Sequence, residues 1–459
     1  MFDTNVAASL DGTAHTAPWR ILAVIWGFWL VGGLCLALAK PFSSQDDLGP
    51  ALVLLHMLIS VVAISLTARR SVALLLVGSL SVRTALAFWD VYAHDQFPLL
   101  HSGADTEMFY GWAVAVANDP SLLDLDIRGG PYSKLFGLIF ILTGPIRIFG
   151  QYTNVLFGLT AVILFDRILQ SLHIERTLAL RVLAAAAFLP NSILLSAVFL
   201  RESVVLLFLT ASLFFLVRWF IHGGVASALA SIAMVLVASV FHSGAIVLLI
   251  GYAFAFLFYR HDTRRLKFGA STIPALIALT LLAYMITRQY PDLFLGKFSS
   301  IEGTQDLVAT SNFRRGESAY LTGITVDSLR ELILYGPIRA LYFLASPLPW
   351  DWRGLGDFLA FTFDSLVFII PIFYFATNVR HLTSRRALAV SLAISVLIVA
   401  LVFGAGVANA GTAIRHRNKF LMIFLTLTAV LLDRNHVNSP IGETTDRNGN
   451  YSMNRISGI

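Results

Sequence analysis

The side chains best placed for chemistry begin at Asp90. Between positions 90 and 134 the chain carries seven acids against two bases, a net charge of −5, and the densest part reads Asp105-Thr106-Glu107-Met108-Phe109-Tyr110. Carboxylates gathered beside a membrane can take the proton of an attacking hydroxyl, or hold a divalent cation next to a lipid phosphate. Asp105 and Glu107 lie two residues apart, so they point the same way on an extended segment but not on a helix. They are the candidate catalytic pair, and the candidate ligands if a metal such as Mg or Mn is used. Acids in an exposed loop also serve plain solvation, which is the better account of Asp119, Asp124 and Asp126.

Three further clusters are cationic or titratable. Arg201-Glu202-Ser203 follows Pro190 at a tight turn between two apolar runs. A charge in hydrocarbon costs roughly 3 kcal/mol on insertion scales, so this one is either paired and snorkelling or faces a polar cavity. A second turn, Phe241-His242-Ser243-Gly244, carries a lone His that suits a structural role as well as a binding one. Arg415-His416-Arg417-Asn418-Lys419 puts three cations at the start of the last apolar run. Such a cluster fits a lipid phosphate or diphosphate, or simple anchoring to anionic headgroups. The candidate substrate- and phosphate-binding residues are therefore Arg201, Glu202, His242, Arg415 and Arg417.

The elements that must position these groups follow from composition. Of 459 residues only 13% are charged and 57% are hydrophobic, with a mean hydropathy of +0.75. Apolar runs of roughly 20 residues recur, the length a helix needs to cross a ~30 Å hydrocarbon slab. A soluble enzyme is excluded, and an all-α, polytopic membrane protein is expected. The runs predict about twelve transmembrane helices between residues 19 and 432, the first read as a retained helix rather than a cleaved signal. Two apolar stretches broken by Pro or Gly, 132–145 and 332–350, read as short interfacial helices. Residues 1–18 are expected to be a cytoplasmic N-terminal segment and 433–459, rich in Asn, Gly and Ser, a disordered cytoplasmic tail.

Orientation comes from the short loops. With the N-terminus inside, the inner loops hold thirteen Arg or Lys and the short outer ones five, which favours N-in and C-in. The long loops 90–131 and 289–356 then lie outside, on the periplasmic face in a bacterium. Counted from 90 to 134 and from 288 to 357, these external segments hold 24 of the 60 charges. The second includes Arg314-Arg315-Gly316-Glu317 and the run Ser346-Pro347-Leu348-Pro349-Trp350-Asp351-Trp352-Arg353. Its indoles suit interfacial anchoring, and sugars also stack on Trp faces.

Missing motifs narrow the function. There is no Walker-type phosphate loop, no HExxH and no Gly-x-Ser-x-Gly, so an ATP-driven pump, a zinc protease and an α/β-hydrolase lack support. The single cysteine, Cys35, excludes intrachain disulfides and cysteine zinc sites. The net charge of +6 comes with no basic stripe interleaved with aromatics, so nucleic acid is not an expected partner. His56, Arg83 and Asp364 are the clear intramembrane ionisable candidates. A coupled transporter would gather charge at the midplane, whereas here the polar residues gather at helix ends.

From about residue 71 to 432 this arrangement resembles the GT-C class of membrane glycosyltransferases and the related Wzy-type bacterial polysaccharide polymerases. The resemblance rests on Asp105-Thr106-Glu107 with Phe109-Tyr110 behind it, on Tyr132 to Gly144 as a short helix after that loop, on Pro190 with Arg201-Glu202-Ser203, and on Arg415-His416-Arg417. It implies an inner-membrane enzyme of surface or exopolysaccharide assembly, acting on the periplasmic face. A sugar or oligosaccharide repeat would pass from a polyprenyl (di)phosphate donor to a glycan or lipid-linked acceptor, with a flippase and a chain-length regulator as possible partners besides membrane lipids. By that similarity Asp105 is the base or a metal ligand, Glu107 assists, and Arg201 with Arg415 or Arg417 neutralises the leaving phosphate. The second acid of the motif is Glu where the family's paired form has Asp. The alternative from another class is a transporter or flippase of lipid-linked saccharides.

Overall fold

The computed structural model describes residues 18–40, 45–269, 277, 318–382, 385–433, and the pairs 444–445 and 451–452. The expected segment 1–18, apart from Pro18, lies outside the described residues. So do most of residues 268–288, where one of the twelve helices is expected from hydropathy, the Arg314 to Glu317 charges, and the 433–459 tail apart from Asp433 and the two short pairs.

The described chain is almost wholly helical. The helices are α1 (Pro18–Ala39), α2 (Gln45–Thr67), α3 (Arg70–Tyr92), α4 (Ala104–Asn118), α5 (Gly130–Thr143), α6 (Arg147–Ser171), α7 (Arg176–Phe188), α8 (Pro190–Ala197), α9 (Glu202–His222), α10 (Val225–Phe241) and α11 (Leu248–Phe258). They continue as α12 (Leu329–Leu334), α13 (Gly336–Ala345), α14 (Leu355–Ala360), α15 (Leu366–Asn378), α16 (Arg386–Gly406), α17 (Ala410–Asn418) and α18 (Leu421–Leu432). Among the described residues, strands are limited to two-residue antiparallel pairs, Tyr259–Arg260 with Arg265–Leu266 and Thr444–Thr445 with Tyr451–Ser452.

Seven helical segments among the described residues are long and apolar enough to cross a membrane, or eight if the bent α7–α8 pair is one span. The chain is an all-α, multi-pass membrane protein. One of the expected twelve lies mostly outside the described residues, and part of the remaining difference has a physical reason. At 1.5 Å per residue, the 17-residue α10 and the 12-residue α18 reach about 25 Å and 18 Å, less than a ~30 Å slab. The chain breaks at His242, where a 3₁₀ turn runs from Ser243 to Val247, and at Phe420, just before α18.

Contacts divide the chain into two compact units. The first comprises Met1–Leu164 and Leu183–Leu207, the second Phe165–Val182 and Phe208–Ile459. In the first unit α1 packs on α2 and α5, α2 on α3, α3 on α8 and α4 on α5. Indole donors tie α1 to α6: Trp26 Nε1 reaches Thr160 Oγ1 at 3.1 Å and Trp29 Nε1 reaches Thr153 Oγ1 at 3.0 Å. His56, buried on α2, accepts at Nδ1 from Tyr152 Oη at 2.7 Å and faces the Ile25 carbonyl with Nε2 at 2.8 Å. With the tautomer assigned from these partners, the ring is a satisfied neutral spacer.

Arg83, fully buried on α3, explains the break between α7 and α8. Pro190 opens α8 and has no N–H, so carbonyls at the 43° bend lose helical partners. Arg83 approaches one of these, Ala187 O, and also binds groups of α8 beyond the bend. Its NH1 donates to Ser192 O at 2.7 Å and to the Ser196 hydroxyl, its NH2 lies 3.4 Å from Ala187 O, and its Nε meets Ser79 Oγ at 3.1 Å.

In the second unit α13 packs on α16 and α17, α11 on α16, and α15 on α18. The expected interfacial stretch 332–350 is α12 and α13, separated at Tyr335, followed by a 3₁₀ turn at Pro349–Asp351.

Candidate functional site

Asp105 and Glu107, in the stretch 90–131 that was expected to be an external loop, lie on a helix. Thr106 starts α4 by accepting the Gly103 N–H at 2.9 Å through its hydroxyl. Asp105 and Glu107 therefore occupy the first helical turn, where carboxylates are favoured by the orphan N–H groups and the helix dipole. On a helix two residues apart, they diverge, so they do not form the parallel pair that an extended segment would give. Asp105 is exposed. Glu107 turns to Arg147, the first residue of α6, in a bidentate fork: NH1 to Oε2 at 2.9 Å and NH2 to Oε1 at 2.6 Å.

Arg147 was not a candidate from sequence, yet it organises the cluster. Its guanidinium lies 5.2 Å from the Tyr110 ring centroid and 3.8 Å from Asp90 Oδ2. Gly144 prepares its position: it ends α5 at φ +82°, where a Cβ would be strained. Pro145 follows, and its carbonyl accepts the Tyr110 hydroxyl at 2.7 Å. The signal in the sequence was this Gly-Pro punctuation one residue short of an Arg at the head of an apolar run.

Asp90, in the last turn of α3, has a wholly buried side chain. Its Oδ2 accepts from Gln151 Nε2 at 2.7 Å, while Oδ1 makes no hydrogen bond and lies 3.6 Å from His94 Nδ1. Ser102 Oγ meets the same His94 nitrogen at 3.3 Å. A serine nucleophile relay needs hydroxyl and carboxylate on opposite ring nitrogens, so this Ser, His and Asp do not form one. His101 faces Asn191 Oδ1 at 3.2 Å and adopts φ +70°.

Arg201 enters the same neighbourhood from the start of α9. Buried Asn154 places its Nδ2 2.9 Å from Val198 O and 3.0 Å from Leu200 O, and 2.7 Å from Tyr132 Oη. That clamp fixes the non-helical link between α8 and α9, and with it the direction of Arg201. The Arg201 guanidinium lies 5.6 Å from the Phe109 centroid. Phe109 in turn packs edge-on against Tyr132 at 5.3 Å, part of a wall with Phe136, Phe140 and Phe199. Glu202, next to Arg201, is buried.

One turn of α4 thus presents Phe109 and Tyr110 to two arginines, with Glu107 and Asp90 beside Arg147. Of the candidates in the first unit, Glu107 and Arg201 border this turn of α4; His242, Arg415 and Arg417 belong to the second unit. His242 stacks on His416 at 4.9 Å, and His416 Nδ1 lies 3.0 Å from Lys419 Nζ. Arg415 is half-buried on α17. Arg417 faces inward and is fully buried. It donates to Asp364 (Nε at 2.9 Å, and NH2), to Ser365 Oγ at 3.0 Å, to Leu344 O at 3.0 Å and to Ser346 O at 2.7 Å. All five guanidinium hydrogens are thereby engaged, which corrects the expectation that Arg417 offers its fork to a phosphate. Asp364 reaches it from a π-helical turn, Phe361–Ser365. The extra residue per turn there swings the carboxylate into the core.

The donors expected for Mg or Mn do not assemble. Asp105 and Glu107 diverge, both Glu107 oxygens hold Arg147, and among the described residues no group of three His, Cys, Asp or Glu converges as a metal site would. Compared with protein-family models, curated proteins and solved structures, the chain matches none.

Proposed function

We propose that the protein is a membrane glycosyltransferase that moves a sugar or an oligosaccharide repeat from a polyprenyl (di)phosphate carrier to a glycan or lipid-linked acceptor. The observation that carries this reading is the pair Arg147 and Arg201, held over Tyr110 and Phe109 on one turn of α4, with Asp105 exposed two and four residues before Glu107 and Phe109. Guanidinium groups suit the phosphate and a carboxylate suits the acceptor hydroxyl. In the step proposed, the acceptor oxygen bonds to the anomeric carbon, and its proton passes to Asp105. The bond from that carbon to the carrier oxygen breaks, and the electron pair leaves with the phosphate. Arg201 faces the charge that develops there. Arg147 is shared by Glu107 and Asp90 and holds the turn in place.

The orientation that fits this reading is N-in and C-in, with α4 on the periplasmic side of a bacterial inner membrane and the product an exopolysaccharide or surface glycan. The test replaces Asp105 with Asn and Arg201 with Lys, then reads glycan chain length together with protein level in the membrane. Loss of polymer at normal protein level is expected for both. Normal polymer from both variants would remove Asp105 and Arg201 from the mechanism, and accumulation of untransported lipid-linked sugar on the inner leaflet would replace the transferase with a flippase.

A further inference from the structure

The second unit contains a cavity of about 70 Å³ lined by Ser318, Tyr320, Ser346, Asp351, Arg353 and neighbouring backbone. Its floor is built by a short bridge. Ala319 pairs with Asn409, Tyr320 N donates to Ala408 O at 3.0 Å, and Ala410 N donates to Ser318 O at 2.9 Å. Asn409 then caps α17 by accepting from Thr412 N at 2.7 Å. Its roof is the turn from Ser346 to Arg353, set by the Asp351 N–H bond to Leu348 O at 2.8 Å.

Two polar atoms in this wall are buried and make no hydrogen bond within the protein: Ser346 Oγ, on a residue with no exposed surface, and Asp351 Oδ2. Buried polar atoms of this kind are rare because each costs the water it gave up. Desolvation, the largest influence on Asp351, pushes its carboxyl above the usual carboxylate range, with Arg353 acting in the opposite sense. Arg353 itself is held by Asp357, Nε to Oδ2 at 3.1 Å. A bare cation is disfavoured beside that guanidinium, and the space exceeds what a single water needs. A neutral molecule with several hydroxyls satisfies both orphaned atoms, giving its proton to Asp351 and accepting from Ser346.

Trp350, outside the cavity lining, immediately precedes Asp351 in the chain. It is 70% exposed, yet its ring orientation is fixed by donation from Nε1 to Tyr342 Oη at 2.8 Å. Tyr342 lies against Tyr320 of the cavity wall, 5.0 Å between centroids. An exposed indole held rigid beside a polar cavity matches the two faces of a sugar ring, one rich in C–H and the other in hydroxyls.

We propose that this cavity is a saccharide subsite, with Asp351 and Ser346 reading hydroxyls and Trp350 stacking on the ring. Only the identity of the ligand rests on the proposed transferase reading. The experiment titrates glucose, galactose, N-acetylglucosamine and their disaccharides into the full-length protein in lipid nanodiscs, following tryptophan fluorescence. At least one sugar is expected to give a saturable change that disappears in Trp350→Phe. Asp351→Asn and Ser346→Ala should each weaken it by about tenfold or more, with melting temperature measured alongside. No saturable response to any of these sugars, or the same response in all three variants, would overturn the subsite and leave Trp350 a membrane anchor. Arg201→Lys should bind sugar normally while losing transfer. If the wild-type protein binds sugar but transfers none, the transferase reading fails and the subsite stands; if Arg201→Lys retains transfer, only the role of Arg201 is lost.

Discussion

Two arginine–carboxylate pairs hold this chain together in different ways. Arg147 and Glu107 in the first unit form a bidentate fork with 21% and 50% of their side chains exposed, while Arg417 and Asp364 in the second are 0% and 1% exposed. The chemistry of the two pairs is the same, yet water can replace either partner in the first and neither in the second. Exposed pairs contribute about 0–1 kcal/mol, whereas removing one member of a buried pair strands a charge and costs about 3–5 kcal/mol. The exposed fork therefore orients the α4 turn while adding little to stability, and the buried one is a strut between α13, the π turn and α17.

The largest effect should come from breaking the strut. Asp364→Ala or Arg417→Ala is expected to cost about 3–5 kcal/mol and to deplete the protein from the membrane fraction. The double change to Leu at both positions should recover part of that loss, because it buries no unpaired charge. If either single variant accumulates normally and only synthesis fails, Arg417 belongs to a site and the contrast collapses.

Arg201→Lys comes next. Replacing a fork that meets a developing phosphate charge is expected to reduce transfer about 10²-fold or more, on the scale of about 2.7–4 kcal/mol for one lost electrostatic donor. Membrane level and melting temperature should stay at the wild-type values, which separates this cation from Arg417.

Why sequence reading grouped Arg201, Arg415 and Arg417 together is instructive. Hydropathy made the multi-pass helical class legible, and the Gly144-Pro145 pair marked a real break, because those signals are local; the bend at Pro190 falls inside what was expected as one span. The partner of Arg417 is Asp364, which lies 53 positions away in the chain, and the π turn that aims it leaves no period in the pattern. Asp105 and Glu107 were legible as acids but not as members of a helical turn. Thr106, whose hydroxyl caps that turn, looks in sequence like any residue between two acids. Arg147 escaped notice because one cation at the head of an apolar run is ordinary until its aromatic and acidic neighbours are known.

A smaller effect tests the exposed fork directly. Glu107→Gln keeps the shape of the side chain and removes its charge, so stability should change by about 1 kcal/mol or less. Transfer should change only several-fold, since Arg147 keeps its contacts to Tyr110 and Asp90. A thermal melt shifted as far as that of Asp364→Ala would make the two pairs equivalent and end the distinction drawn between them.

The smallest effect concerns Asp351, where the contrast can be sharpened with pH. Burial raises its carboxyl pKa, so the folded state holds the proton more tightly than the unfolded chain. Between the two pKa values the unfolded state binds fewer protons, and stability falls as pH rises through that window. The penalty is complete above the folded value and absent below the unfolded one. Asp351→Asn should therefore melt slightly above wild type at pH 7 and match it near pH 3, read by thermal melts at both. A residue that lowers stability at neutral pH, in a wall where Ser346 Oγ also lacks a bond, is what a binding site costs the fold. If the variant melts below wild type at pH 7, Asp351 is a structural acid like Asp364, and the cavity joins the strut rather than the site.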